Sequence, residues 1–97
     1  MNDLSASRIL RTASAGNAEK SDVLVTVSPN PAGGLSIRVK SVVKAFYEDA
    51  ILAAARETAQ EMSVTNALID LDDFGALDYV IRARVETALL RATKEEA

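Results

Sequence analysis

The sequence predicts an α+β domain: a two-layer sandwich in which a small, mostly antiparallel sheet of three or four strands packs on two helices, in the order ββα(β)βα. Three observations lead there. Val23, Val25 and Val27 alternate with their neighbours, and Leu35, Ile37 and Val39 repeat the pattern. After Ser41 the apolar spacing lengthens to that of a helix. A second apolar run, Ala67 to Leu71, then leads into a tail rich in good helix formers. With 97 residues, 48% of them hydrophobic, the chain is sized for one core and too short for two.

Residues 1–20 are small and polar around one apolar pair, Ile9 and Leu10, and read as a flexible N-terminal arm ahead of a single domain over 21–97. The β-branched run from Asp22 to Ser28 reads as a strand ended by "SPNPAGG" (28–34), whose prolines and glycines enforce a turn. "LSIRVK" (35–40) is the returning strand, so the two are expected as an antiparallel hairpin. Ser41 is a good cap for a helix over about Val42 to Met62, with Val42, Val43, Phe46, Ala50, Ala53, Ala54 and Glu57 at helical spacing. Ala67 to Leu71 is the next strand, closed by Asp72, Asp73 and Gly75. From Leu77 onward strand and helix spacings fit equally well. The preferred reading pairs a strand over 77–83 back through "DDFG" and makes a helix of 84–93; without that split the sheet has three strands.

The absence of cysteine and histidine removes thiol nucleophiles, imidazole bases, disulfides and nearly every zinc or haem site. A net charge of −3 argues against nucleic acid and toward a protein or small-ligand partner. No apolar run approaches the roughly 20 residues of a membrane span. The lead also lacks a signal peptide's apolar centre, so no membrane and a cytoplasmic location are expected, although "SASRILRTAS" has the bias of a transit peptide.

Few residues offer chemistry. Asp70, Asp72 and Asp73 suit a hard cation but lack the further oxygen ligands of a calcium loop, so a solvated strand end is preferred. "DDFG" without a glycine-rich phosphate loop reads as a turn. Arg82 and Arg84 would share a face in a strand and suit a phosphate or carboxylate; the plainer reading pairs them with Asp78 and Glu86. Phe46, Ile51 and Leu52 are core or partner surface, and Tyr47 is a candidate docking contact. Ser21 beside Lys20 is, by chemistry alone, an unactivated hydroxyl at the mouth of a strand.

Three stretches, "AGNAEKSDVLVTVSP" (15–29), "SVVKAFYEDAI" (41–51) and "DLDDFGALDYVIRARVETALLRA" (70–92), resemble the acyl carrier subunit of citrate lyase, its gamma chain. The matching residues are Ala15, Gly16, Glu19, Asp22 and Val23, then Asp72, Asp73 and Gly75 to Asp78, then "RAR" at 82–84. The acyl carrier subunit of malonate decarboxylase is more distantly similar. The resemblance implies a non-catalytic carrier, a phosphoprotein with a covalent 2'-(5''-phosphoribosyl)-3'-dephospho-CoA arm whose thiol holds acetyl and citryl thioesters. It implies as partners the citrate lyase transferase (alpha) and lyase (beta) subunits and a prosthetic-group transferase. The family's modified serine directly follows the glutamate, and that position here is Lys20. Ser21, one place later, is the nearest hydroxyl and the candidate cofactor attachment; a carrier without its arm and a substitution at position 20 are the other readings.

Overall fold

In the computed structural model, which describes residues 8–42 and 44–94, the chain runs through strands β1 (Ala13–Gly16), β2 (Val23–Ser28) and β3 (Leu35–Ser41), helix α1 (Lys44–Glu61), strand β4 (Ala67–Asp73) and helix α2 (Asp78–Thr93). The strands form one sheet in the order β1-β2-β4-β3; β2 is antiparallel to β1 and β4, whereas β3 runs parallel to β4. The expected α+β sandwich is therefore present, with a mixed sheet.

Register explains the core. Val25 lies opposite Leu71 and Val27 opposite Ile69, while on the other side Ile37 and Val39 neighbour the same Ile69 and Leu71. These rows point at α1 and α2, which add Ile51, Ala54, Ala55 and Ala59 from one helix and Ile81, Val85, Ala88, Leu89 and Ala92 from the other. Ile69 is fully buried at the centre, and its burial contributes about 2–3 kcal/mol. Alanine at most of the α1 contacts lets that helix approach its neighbours closely.

The hairpin expected between β2 and β3 does not form, because β4 inserts between them. Residues 29–34 span the gap of two strand spacings, roughly 10 Å. Asn30 shapes this connection: its side-chain amide donates to the Gly33 and Gly34 carbonyls and its Oδ1 accepts the Ala32 N–H. The Gly34 carbonyl then accepts the Ala67 N–H at 3.0 Å, fastening the loop to the start of β4.

The tail is one helix, not a strand followed by a helix. Both edges of β4 are occupied, so a strand over 77–83 would have no place beside it. The alternating residues accordingly separate by helical phase: Ile81 and Val85 are buried while Tyr79 and Ala83 are exposed. The fourth strand comes from the opposite end of the chain. β1 lies within the expected arm, Ala15 is buried in the core, and the Leu10 N–H donates to the Ala92 carbonyl at 2.8 Å. Residues 8–20 are thus largely part of the domain; 1–7 lie outside the described residues.

The expected face of α1 is also displaced. Val42 and Phe46 are exposed, and the buried stripe runs through Ile51, Ala54, Ala55, Thr58 and Ala59. Position 43 lies outside the described residues. The connection from β3 is short, with β3 ending at Ser41 and α1 starting at Lys44, so the helix starts at the rim of the sheet. Ser41 ends β3 and hydrogen-bonds through its hydroxyl to Asp73 Oδ2 at 2.7 Å. Among the described residues, no helix is long and apolar enough to cross a membrane.

Candidate functional site

The connection between β1 and β2 is a clamped turn. The Asp22 N–H donates to the Glu19 carbonyl at 3.0 Å, and Ser21 sits at φ +68°, the left-handed conformation that the third residue of a type II turn requires. Ser21 N–H donates to the Phe74 carbonyl at 2.9 Å and the Phe74 N–H returns a bond to the Asp22 carbonyl at 3.0 Å, so the turn rests on the end of β4.

Asp22 is the clamp. Its side chain, only 12% exposed, accepts two parallel bonds from Arg84, Nε to Oδ1 at 3.0 Å and Nη2 to Oδ2 at 3.1 Å. Oδ1 also accepts the Val23 N–H at 2.7 Å, and Oδ2 accepts the Asn17 side-chain amide at 3.2 Å. The Arg84 bonds hold this carboxyl below its ordinary pKa; burial opposes them, and the Val23 and Asn17 donors reinforce them. Gly16 closes the base of the loop at φ +90°, where a Cβ would overlap the Val23 carbonyl oxygen.

The clamp leaves Lys20 and Ser21 exposed at the tip. No hydrogen bond engages the Ser21 hydroxyl among the described residues. An exposed hydroxyl on an anchored backbone fits a phosphodiester linkage made by an external enzyme. The Lys20 amine does not fit the same linkage.

A left-handed conformation costs a non-glycine residue about 1 kcal/mol. Ser21→Gly is therefore expected to stabilise the chain by about 0.5–1 kcal/mol, raising Tm by several degrees in thermal unfolding. A lower Tm would show that the turn does not hold Ser21 in this conformation.

The other sequence candidates separate. Asp70 and Asp72 lie on the outer sheet face, where Asp70 pairs with Arg38 at 2.7 Å; Asp73 points inward and binds Ser41 and the Ala76 N–H. Among the described residues no group of three or more acidic side chains is placed to hold a metal. Arg82 and Arg84 stand on different sides of α2. Arg82 pairs with Asp78 at 2.6 Å and Glu57 at 3.0 Å, and Arg84 pairs with Asp22. Asp78 is the partner expected from sequence, and Glu86 is not a partner.

Sequence reasoning missed the partnership of Asp22 with Arg84. The two stand 62 positions apart and meet only because α2 packs across β1 and β2. It also missed how much converges at this end of the domain. Val23 at the start of β2 pairs with Asp73 at the end of β4, and Ser41 at the end of β3 neighbours the same residue. Both helices begin just beyond those strand ends. A groove of about 390 Å³ opens there, lined by Tyr47, Ala50 and Ile51 of α1 and by Gly75, Ala76, Leu77 and Ile81.

Comparison with known proteins shows the family and the fold. The family model described as the malonate decarboxylase delta subunit (MdcD) matches residues 10–92. The citrate lyase acyl carrier protein of Halothermothrix orenii is 44% identical over 86 residues, 89% of this chain and 90% of the relative. Citrate lyase acyl carrier protein 2 of Salmonella typhimurium is 39% identical over 88 residues, 91% of each chain. Among solved structures, a chain of a Pseudomonas malonate decarboxylase hetero-tetramer, crystallised with malonate, matches with TM-score 0.76 at 25% identity, covering 91% of this chain and 90% of that one. The chain therefore belongs to the acyl carrier family that includes the malonate decarboxylase delta subunit and the citrate lyase acyl carrier proteins.

Proposed function

We propose that this chain is the acyl carrier subunit of a citrate lyase complex, with Ser21 as the attachment point of a 2'-(5''-phosphoribosyl)-3'-dephospho-CoA arm. The observation that supports it most is the clamped turn, which presents one unbonded hydroxyl on a backbone held from below by Asp22 and Arg84. Identities of 39% and 44% to citrate lyase carriers, against 25% to the malonate decarboxylase chain, favour citrate lyase over the malonate decarboxylase alternative.

When bound, the arm supplies the thiol that this sequence lacks, and with it the capacity to hold acetyl and citryl groups as thioesters. The chain's own residues present the anchor. The Phe74 backbone bonds and the Asp22 clamp fix where the tether starts, so a flexible arm sweeps a defined volume. Tethering of this kind keeps an acyl group at roughly millimolar effective concentration near the partner active sites. Those partners are the transferase (alpha) and lyase (beta) subunits, with a prosthetic-group transferase that loads the arm, all in the cytoplasm. Catalysis belongs to them, and the isolated chain is expected to show no turnover.

Lys20 favours a second reading, a carrier-like scaffold without the arm, since it stands where the family's modified serine belongs. Intact mass separates the two. Coexpressed with its prosthetic-group transferase, the chain is expected to gain the mass of one arm, and Ser21→Ala to gain none. An unchanged mass, with the transferase active on another carrier, would favour the scaffold. A gain that survives Ser21→Ala would move the attachment elsewhere.

A further inference from the structure

We propose that Lys20 is the counter-cation of the arm: its ammonium pairs with the phosphodiester formed on the neighbouring Ser21. This rests on the Ser21 reading above and gives the residue beside the attachment point a task in it. The turn places the two side by side at its second and third positions, both exposed, on a backbone that Phe74 and the Asp22 clamp hold in place. Consecutive Cα atoms stand about 3.8 Å apart, less than the span of lysine's flexible four-carbon stem, so the ammonium reaches a phosphate on Ser21 with no change of backbone. Among the described residues Lys20 makes no ion pair and no side-chain hydrogen bond that would have to break first.

The other charges at this end of the domain are already engaged or set apart. Arg84 gives its two bonds to Asp22, and Arg82 is shared by Asp78 and Glu57. Lys40 lies on β3 and Lys44 begins α1 just beyond it, whereas the turn joins β1 to β2, at least two strand spacings or roughly 10 Å away across the sheet. Of the acids, Asp22 is paired, Asp73 points inward to Ser41 and the Ala76 N–H, and Asp72 sits on the outer sheet face beside Lys40 in the register. Glu19 is left: exposed, unpaired among the described residues and directly before Lys20. A phosphodiester on Ser21 therefore puts a second anion two residues from Glu19, with Lys20 between them.

Lysine suits this place. Its ammonium is a compact charge with three donors, matched to the two unshared oxygens of a phosphodiester, which carry one negative charge between them. Pairing balances that charge within the turn, so a partner subunit need not supply a cation beside the tether's origin. The residue that takes the place of the family's serine thus supplies the charge that a linkage one position later calls for. In water such an exposed pair is weak, which sets the size of the effect: about two- to fivefold in an equilibrium, and sensitive to salt.

The test reads amine labelling on the full-length chain, with and without the arm put on by coexpression with the prosthetic-group transferase. Reductive methylation takes only the neutral amine, which a neighbouring anion disfavours, and peptide mass mapping follows each lysine separately. Lys20 is expected to be labelled about two- to fivefold more slowly in the arm-bearing chain at low salt, and at nearly equal rates in the two forms at about 1 M salt. Lys40 and Lys94 report any general change and are expected to react alike in both forms. Equal Lys20 rates at low salt overturn the pairing and leave the Ser21 reading intact, because intact mass still shows the arm. Slowing that high salt does not relieve means that the arm covers the amine by bulk, and overturns the pairing as well. A chain that gains no arm beside a transferase active on another carrier, or that gains it in Ser21→Ala, overturns the Ser21 reading and the pairing with it.

Discussion

Gly16→Ala is expected to leave the chain largely unfolded. At φ +90° the residue stands where an L side chain is strained by about 1–3 kcal/mol whatever the space around it. Here there is no space. A Cβ would overlap the Val23 carbonyl oxygen and come within 3.2 Å of Arg84 Cδ, so it meets backbone on one side and the clamp on the other. Relief requires β1 to move away from β2 at the pairing of Gly16 with Leu24, which opens the base of the turn and exposes Ala15. Strain, lost pairing and lost burial together exceed about 4 kcal/mol, most of what a domain of this size possesses. Gly75→Ala is the control: φ is +94° but a Cβ meets open space, so only the conformational strain of about 1–2 kcal/mol is expected. Urea unfolding of the two variants compares them. Similar midpoints for both would show that the close approach of β2 to Gly16 does not matter.

Asp22→Ala is expected to destabilise by about 2–3 kcal/mol. The Val23 N–H is buried and loses its acceptor, at about 1–3 kcal/mol, whereas the Arg84 side chain is 41% exposed and recovers part of its solvation. The same clamp gives a pH signature. Because the folded-state pKa of Asp22 is lowered, its stabilisation is fully present above the unfolded value, about 3.9, and is lost as pH falls through the folded value. The stability difference between wild type and Asp22→Asn should therefore be constant near neutrality and shrink below about pH 4. A difference that stays unchanged down to pH 2 would mean that the charge of Asp22 contributes nothing to the clamp. On the proposed reading of Ser21 as the attachment point, loading by the prosthetic-group transferase should slow in Asp22→Ala even at temperatures where the variant remains folded, since Ser21 then sits on a looser turn.

Local pattern reveals elements, and only tertiary competition reveals their neighbours. The β-branched run Val23 to Val27, the alternation of Leu35 to Val39 and the apolar run Ala67 to Leu71 are all strands where the sequence places them. Their order in the sheet was not legible, because loop 28–34 fits a hairpin as well as a bridge across an intervening strand. The stretch 77–83 misleads for a related reason: its alternation is real, but β4 has no free edge to offer it. β1 was hidden by composition, since "ASAG" has no β-branched residue and is held mainly by pairing to β2 and by Ala15 under α2. At the candidate site, Ser21 was visible as the nearest hydroxyl to the family's serine. Its left-handed backbone was not, and neither was the clamp, which needs Arg84 brought from the last helix.

The insertion of β4 between β2 and β3 imposes a schedule on synthesis. As the chain leaves the ribosome, β1 with β2 and β3 with α1 emerge as two fragments that share no pairing, and each waits with an open edge for residues 67–73. Phe74 and Arg84, which fix the Ser21 turn, arrive later still. A nascent or truncated chain thus has the serine but not its platform. On the proposed reading of Ser21, a loading enzyme that recognises this platform would act only on chains that have completed the sheet and the last helix.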